Sequence, residues 1–201
     1  MLRRDMSEAH CATAELYLTD LCFDENAEGK CEAAVAQACE LAPDNPTAFQ
    51  LQASLRLSQE RPQEAQAALM QCVQLWQQCP EELLPDFDFR TQTSSLLMEA
   101  GLFKEATSCL EVLVQEDDSH PEVWYLLARC HATLSAPESA VECLETASEL
   151  FKAEAQANEG GGDMDWDGAE GAGAEGADNE TLQGQVAELL AEQSALMPKD
   201  E

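Results

Sequence analysis

Residues 121–154, PEVWYLLARCHATLSAPESAVECLETASELFKAE, decide the fold of this chain. Trp124 and Ala128 lie four residues apart, as do Ala140 and Leu144, and this spacing is typical of one apolar helix face. A break separates the two patterns. The stretch therefore predicts two consecutive helices joined by a short turn.

The expected start of each helix is marked by a serine and a proline. Ser119 precedes Pro121, and Ser135 precedes Pro137, each with a glutamate three residues after the serine. Proline is tolerated in the first helical turn, where its missing N–H would have no partner. A serine followed by such a glutamate is typical of a capping box, so we predict that both serines cap their helices.

The same two-helix pattern recurs upstream. A shift of 34 residues places Cys109 under Cys143, and earlier copies follow at steps of 41 and 34 residues. The longer step contains residues 79–86, bounded by two prolines, which we predict to be a loop or a lengthened helix end. The predicted repeats start near Ala12, Pro46, Phe87 and Pro121.

A 34-residue helix–turn–helix period with small residues where helices touch resembles the tetratricopeptide (TPR) repeat. The aromatic of that family is matched by Phe49 and Trp124, its turn glycine by Gly101 and its closing proline by Pro43. The resemblance implies an all-α, TPR-like helical-hairpin solenoid of about four repeats over residues 12–157. Residues 1–11 are expected to be a flexible N-terminus.

The composition changes after the repeats. Residues 158–179 hold seven of the ten glycines, mixed with Asp, Glu and Ala, and are predicted to be a disordered acidic linker. Residues 180–201 regain apolar periodicity through Leu182, Val186 and Leu189. This segment is predicted to be an amphipathic helix with a short tail, which either folds back or forms only on a partner.

The chain carries 40 acidic and 10 basic residues, for a net charge of −30. This charge repels phosphates, so direct binding to nucleic acid or anionic membranes is not expected. The negative charge either favours a basic protein partner or belongs to a solvated acidic surface that has no binding role. No signal peptide or long apolar run is visible, and nine cysteines without metal-site spacing indicate free thiols in a reducing compartment.

The sequence holds no motif for catalysis. Cysteines at repeat positions are expected to pack as small hydrophobes, and neither a phosphate-binding glycine loop nor a hydrolase or metalloprotease motif is present. We therefore predict a protein that is not an enzyme and has no cofactor and no metal site. The cysteines expected to be buried are Cys31, Cys72, Cys109, Cys130 and Cys143.

The first helix of each repeat lines the concave side of such a solenoid, which these proteins use for binding. Repeat 2 would contribute Gln50, Leu51, Ser54 and Leu57 to this surface. At the concave positions of the other repeats, acidic side chains dominate the charge and aromatic side chains lie among them. This mixture is suited to binding an extended Lys- or Arg-rich segment. The predicted partner-binding residues are Tyr17, Asp20, Phe23, Asp24, Asp88, Gln92, Glu99, Glu122 and Tyr125.

Residues 15–32, the repeats after them and the acidic tail with Gly, Asp and Trp together resemble the dedicated assembly chaperone of protein 4 of the large ribosomal subunit. This resemblance implies that the protein binds that newly made basic protein, shields its basic loop and escorts it to pre-ribosomes. We also expect a monomeric protein that is located in the cytoplasm and the nucleus. Two alternatives are an acidic TPR histone chaperone and a general TPR interaction scaffold.

Overall fold

A computed structural model of the chain describes residues 2–159 and 172–196, and within these ranges every regular element is helical. The predicted all-α fold is confirmed. Three predicted repeat starts, Pro46, Phe87 and Pro121, are first residues of helices. The helices are α1 (Leu2–Leu18), α2 (Ala27–Leu41), α3 (Pro46–Ser58), α4 (Pro62–Gln77), α5 (Phe87–Glu99), α6 (Phe103–Glu116), α7 (Pro121–Thr133), α8 (Pro137–Glu159) and α9 (Ala172–Leu196).

The helices form two compact units. The N-terminal unit, residues 2–102, contains α1 to α5, and the C-terminal unit, from residue 103 onward, contains α6 to α9. Consecutive helices pack as hairpins within each unit: α1 on α2, α3 on α4, and α7 on α8.

Small residues allow the helices of each hairpin to approach closely. Ala53 and Ala65 are completely buried in the N-terminal unit, and Ala128 and Ala140 are completely buried in the C-terminal unit. Larger side chains such as Leu69 are also completely buried and fill the remaining space of the core. This alternation explains why the small residues repeat in the sequence.

The N-terminus differs from the prediction. Residues 1–11 were expected to be flexible, but α1 begins at Leu2, ten residues before the predicted start of repeat 1. The Ser7 hydroxyl is completely buried, donates to the Ala38 carbonyl oxygen at 2.9 Å and accepts from Asn45 Nδ2 at 3.1 Å. These contacts hold the first half of α1 against α2 and against the start of α3.

The structure shows one side-chain cap at the start of α3 and none from the two predicted serines. Asn45 caps α3 by accepting from the Thr47 N–H at 3.1 Å. The predicted serine caps are wrong. Ser119 donates its hydroxyl to Asp117, and Ser135 adopts a left-handed backbone (φ 61°) at the turn between α7 and α8. Proline at the first helical position still fixes both starts correctly, because its φ suits a helix.

The turn glycine and the seven-residue insertion behave as predicted. Gly101 has φ +81°, a left-handed conformation that glycine adopts without strain, and it separates α5 from α6. The insertion forms a loop that contains one short 3₁₀ turn (Glu81–Leu83). Asp86 ends the loop and caps α5 by accepting from the Phe89 N–H at 2.8 Å.

The predicted linker and terminal helix have different boundaries in the structure. Helix α8 continues to Glu159, and α9 begins at Ala172, so both ends of the predicted disordered segment 158–179 are helical. At the second end, residues 172–179, alanine and glutamate have high helix propensity and offset Gly173 and Gly176. The rest of that prediction, residues 160–171, lies outside the described residues, as do residues 197–201 of the predicted tail.

Helix α9 folds back onto α8 and α7. Val186 is 2% exposed and Gln193 6% exposed on the face that makes these contacts. Of the two behaviours that the sequence leaves open for this segment, the structure shows the first: a terminal helix that closes the C-terminal unit.

Candidate functional site

A groove of about 470 Å³ runs between α1, α3 and α5, the first helices of the three repeats in the N-terminal unit. Three of the four inward positions predicted for repeat 2 line it. Its described lining residues are Glu15, Leu18 and Thr19 from α1 and the residue after it, Thr47, Gln50, Leu51 and Ser54 from α3, and Asp88, Phe89, Gln92 and Leu96 from α5.

The floor of the groove is held by a buried polar network. Gln50 Nε2 donates to the Thr93 hydroxyl at 2.9 Å and to the Phe89 carbonyl oxygen at 3.2 Å. The Thr93 hydroxyl, completely buried, donates to the same carbonyl at 2.9 Å. Because these buried groups satisfy each other, they fix α5 against α3 and give the groove a defined width.

The charge of the groove is negative. Glu15 and Asp88 are exposed on its walls, and among its described lining residues none is basic. No ion pair joins either carboxylate to another part of the described chain. A Lys- or Arg-rich segment would pair with both acids, and the apolar stems of those side chains would lie on Leu51 and Leu96. Each exposed pair contributes only about 0.2–1 kcal/mol, so binding needs several contacts.

The predicted partner-binding residues of the N-terminal unit fall into different places. Asp88 and Gln92 line the groove, whereas Glu99 is exposed near the end of α5 and does not. Tyr17 lies in a neighbouring cavity. These three outcomes leave the binding role of each residue a prediction.

Asp20, Phe23 and Asp24 do not lie on a helix, because α1 ends at Leu18. They occupy the turn between α1 and α2. The Asp24 carboxylate accepts from Lys30 Nζ at 3.1 Å, and this bond raises the pKa of Lys30. Lys30 Nζ also lies 5.2 Å from the centre of the Tyr17 ring, so Asp24 and Tyr17 already have an internal cation.

In the C-terminal unit, the two predicted residues also differ. Glu122 is exposed in the first turn of α7. Tyr125 is only 8% exposed, and its hydroxyl donates to Gln185 Oε1 of α9 at 2.9 Å. The Arg129 guanidinium lies 5.7 Å from the centre of the Tyr125 ring. With α9 in place, Tyr125 therefore serves the packing of this unit.

The sequence reasoning missed Glu15, Thr19 and Phe89 as groove residues. For Glu15 and Thr19 the cause is the predicted start of repeat 1 near Ala12, because α1 begins at Leu2 and presents other positions to the groove. Phe89 was missed although the register of α5 was right. A usable signal was present, because Ser7, Cys11, Ala14 and Leu18 follow three- and four-residue spacing and continue the helix toward the N-terminus.

The cysteines support packing rather than chemistry. Cys31, Cys72, Cys109, Cys130 and Cys143 are all buried, as predicted. Burial raises the pKa of the thiols of Cys109, Cys130 and Cys143 to about 11, so they remain protonated and poorly nucleophilic at neutral pH. Within residues 2–159 and 172–196, no group of three or more His, Cys, Asp or Glu side chains could hold a metal ion.

Membrane insertion receives no support from the helices. In the part of the chain that the structure describes, none of them combines the length and apolar character needed to cross a bilayer.

Stacked helical hairpins, with first helices that line a groove, form a TPR-like helical-repeat fold. The sequence profile of the tetratricopeptide repeat matches residues 97–158. Among solved structures, Pseudomonas aeruginosa PilF is 15% identical over 100% of this chain and 80% of its own, with a TM-score of 0.58, which supports the fold.

The chain is more strongly similar to proteins of one particular name. The chain is 37% identical over 129 residues to a protein of Schizosaccharomyces pombe named "Probable assembly chaperone of rpl4", covering 63% of this chain and 38% of that protein. A protein of the same name from Emericella nidulans is 41% identical over 110 residues, covering 54% of this chain and 29% of that protein.

A solved structure of the same kind agrees. "Assembly Chaperone of RpL4 (Acl4) (Residues 1-338)" is 39% identical, with a TM-score of 0.62, over 68% of this chain and 49% of that one. The resemblance inferred from the sequence is thus confirmed. This chain spans between 29% and 49% of the length of these relatives.

Proposed function

We propose that this protein is an assembly chaperone that binds newly made protein 4 of the large ribosomal subunit. The acidic groove between α1, α3 and α5 carries the proposal, because its lining combines carboxylates with apolar and amide groups. The relatives named as assembly chaperones of this ribosomal protein support the choice of client.

The proposed mechanism is capture by many weak contacts. A ribosomal protein segment destined for RNA is basic, and before assembly its charges have no partner. The net charge of −30 attracts such a segment over a distance, and Glu15 and Asp88 then pair with its cations. Ribosomal RNA carries a denser negative charge, so it removes the segment from the chaperone.

This role requires binding and no catalysis, and it uses no cofactor. We propose that the protein acts as a monomer, binds neither nucleic acid nor membranes directly, and works in both cytoplasm and nucleus. The absence of a basic nuclear-localisation run from the sequence means that nuclear entry would depend on the client.

The test is charge reversal in the groove. Glu15→Lys combined with Asp88→Lys removes two cation-binding groups and adds repulsion, and each lost pair is worth about 0.2–1 kcal/mol. We expect the Kd for recombinant large-subunit protein 4 to rise about 5- to 30-fold at low salt, with a smaller effect at high salt. Anisotropy of the labelled client measures the Kd, and circular dichroism confirms helicity.

A matched control separates local from overall charge. Glu111→Lys with Glu149→Lys changes the net charge equally at two exposed positions of the C-terminal unit. An equal loss of client affinity in both double variants would show that the overall charge causes the effect, and would refute the groove as the binding site. Stronger capture of histones by the wild type would favour a histone chaperone. Salt-insensitive capture of a neutral protein would favour a scaffold.

A further inference from the structure

The turn between α1 and α2 presents an apolar tip that the groove does not use. Leu21 is 39% exposed, Cys22 is exposed, and Phe23 is 99% exposed. Asp20 and Asp24 flank these three residues in the sequence. Burial of an aromatic side chain is favourable, and none of that stabilisation is realised at Phe23.

The backbone holds this tip in place. Leu21 N donates to the Leu16 carbonyl at 2.8 Å, and Asp24 N donates to the Leu21 carbonyl at 3.0 Å. The ion pair between Asp24 and Lys30 closes the other side of the turn at 3.1 Å. Phe23 is therefore displayed on an ordered turn.

A second cavity, of about 400 Å³, lies beside the turn and receives Cys22 in its wall. Its floor is apolar, because Cys31 and Leu55 are 1% and 2% exposed. Glu28 and Glu60 lie on its rim, and among its described lining residues none is basic. An apolar side chain with a neighbouring cation fits this combination of floor and rim.

The two cavities share one lining residue, Leu18. A bound segment that crosses Leu18 would therefore contact the linings of both cavities.

We propose that the basic client segment continues past Leu18 and places one apolar side chain, flanked by Lys or Arg, in the second cavity, where Phe23 packs over it. This inference rests on the proposed function, since it assigns a second subsite to the same client. Charge complementarity with Glu28 and Glu60 selects the flanking cation, and the apolar contact supplies affinity that salt does not screen.

The first test removes the aromatic ring. Phe23→Ala should raise the Kd for the recombinant client about tenfold, and to the same extent at low and high salt. Leu83→Ala is the control, because Leu83 is 68% exposed on the separate 3₁₀ turn. Both side chains are outside the core, so neither variant should lose helicity.

The outcomes distinguish this inference from the proposed function. Client binding by the wild type with an unchanged Kd for Phe23→Ala would overturn the second subsite alone, whereas a wild type that does not bind the client overturns both. A wild-type dimer in sedimentation that Phe23→Ala converts to a monomer would assign the tip to a second copy of this chain and also overturn the subsite.

A second measurement uses the exposed thiol of Cys22. A saturating concentration of client should slow the alkylation of Cys22 by N-ethylmaleimide at least tenfold. Mass spectrometry of the labelled peptide measures the rate. Cys79, a half-buried free thiol in the loop after α4, is the internal control and should keep its rate. An unchanged rate at Cys22 in the bound complex would contradict the proposal.

Discussion

Replacement of Ser7 by alanine tests whether the start of α1 belongs to the folded protein. The change removes the bond to the Ala38 carbonyl and the acceptor for Asn45 Nδ2. The Ala38 carbonyl still accepts from Ala42 N at 3.1 Å, but Asn45 Nδ2 keeps only a 3.8 Å contact with Cys11 Sγ.

These contacts set the expected size of the effect. One net hydrogen bond is worth about 1 kcal/mol, and a partly unsatisfied buried amide adds a penalty of about 1 kcal/mol, so we expect a loss of about 2 kcal/mol. With an m-value of about 2 kcal/mol/M, the urea midpoint falls by about 1 M. Circular dichroism during urea unfolding measures this midpoint, and amide hydrogen exchange shows whether the loss of stability lies in α1.

Ser108→Ala is the matched control, because Ser108 is an exposed serine within α6 and its replacement brings the same gain in helix propensity. Asn45→Ala should cost about as much as Ser7→Ala. The double variant should cost less than the sum, because the two side chains share one bond. A midpoint for Ser7→Ala no lower than that of Ser108→Ala would refute the reasoning and favour a frayed N-terminus.

Two further predictions concern helix α9 and the buried thiols. Val186→Asp places a charge on a side chain that is 2% exposed, so it should release α9 and raise hydrogen exchange in α8 and α9, whereas Ala191→Asp on the exposed face should not. Burial raises the thiol pKa of Cys109, Cys130 and Cys143 from 9.0 to about 11, so as the pH rises these thiols ionise first in the unfolded chain. The urea midpoint should therefore decrease as the pH is raised from 9 to 11. A midpoint that stays constant over that range would contradict the buried, protonated state.

Much of the fold was predictable because local signals agreed with the packing. Pro46 and Pro121 mark helix starts, Gly101 marks a turn, and small residues at the repeat period mark helix contacts. The error at the N-terminus has a physical cause. From the sequence alone, the polar residue Ser7 is expected to be exposed. Its burial depends on a hydrogen bond with Asn45, 38 residues away in the chain.

The site was only partly predictable for a related reason. Asp88 and Gln92 line the groove because the α5 register was right. Tyr125 was placed on the open surface because the sequence does not reveal that α9 covers it. Asp24 was counted as a free charge, although Lys30 neutralises it across a turn whose geometry the spacing alone does not fix.

Gln50 and Tyr125 are both the fifth residues of their helices, and each donates across to a helix further along the chain: Gln50 to α5 and Tyr125 to α9. The Tyr125 hydroxyl thus meets α9 from the same helix position at which the Gln50 amide meets α5. The packing of α9 differs in one respect, because its larger contact is with α8. A hairpin designed to replace α9 and lengthen the array would therefore need both an acceptor opposite Tyr125 and a buried apolar side chain in the place of Val186.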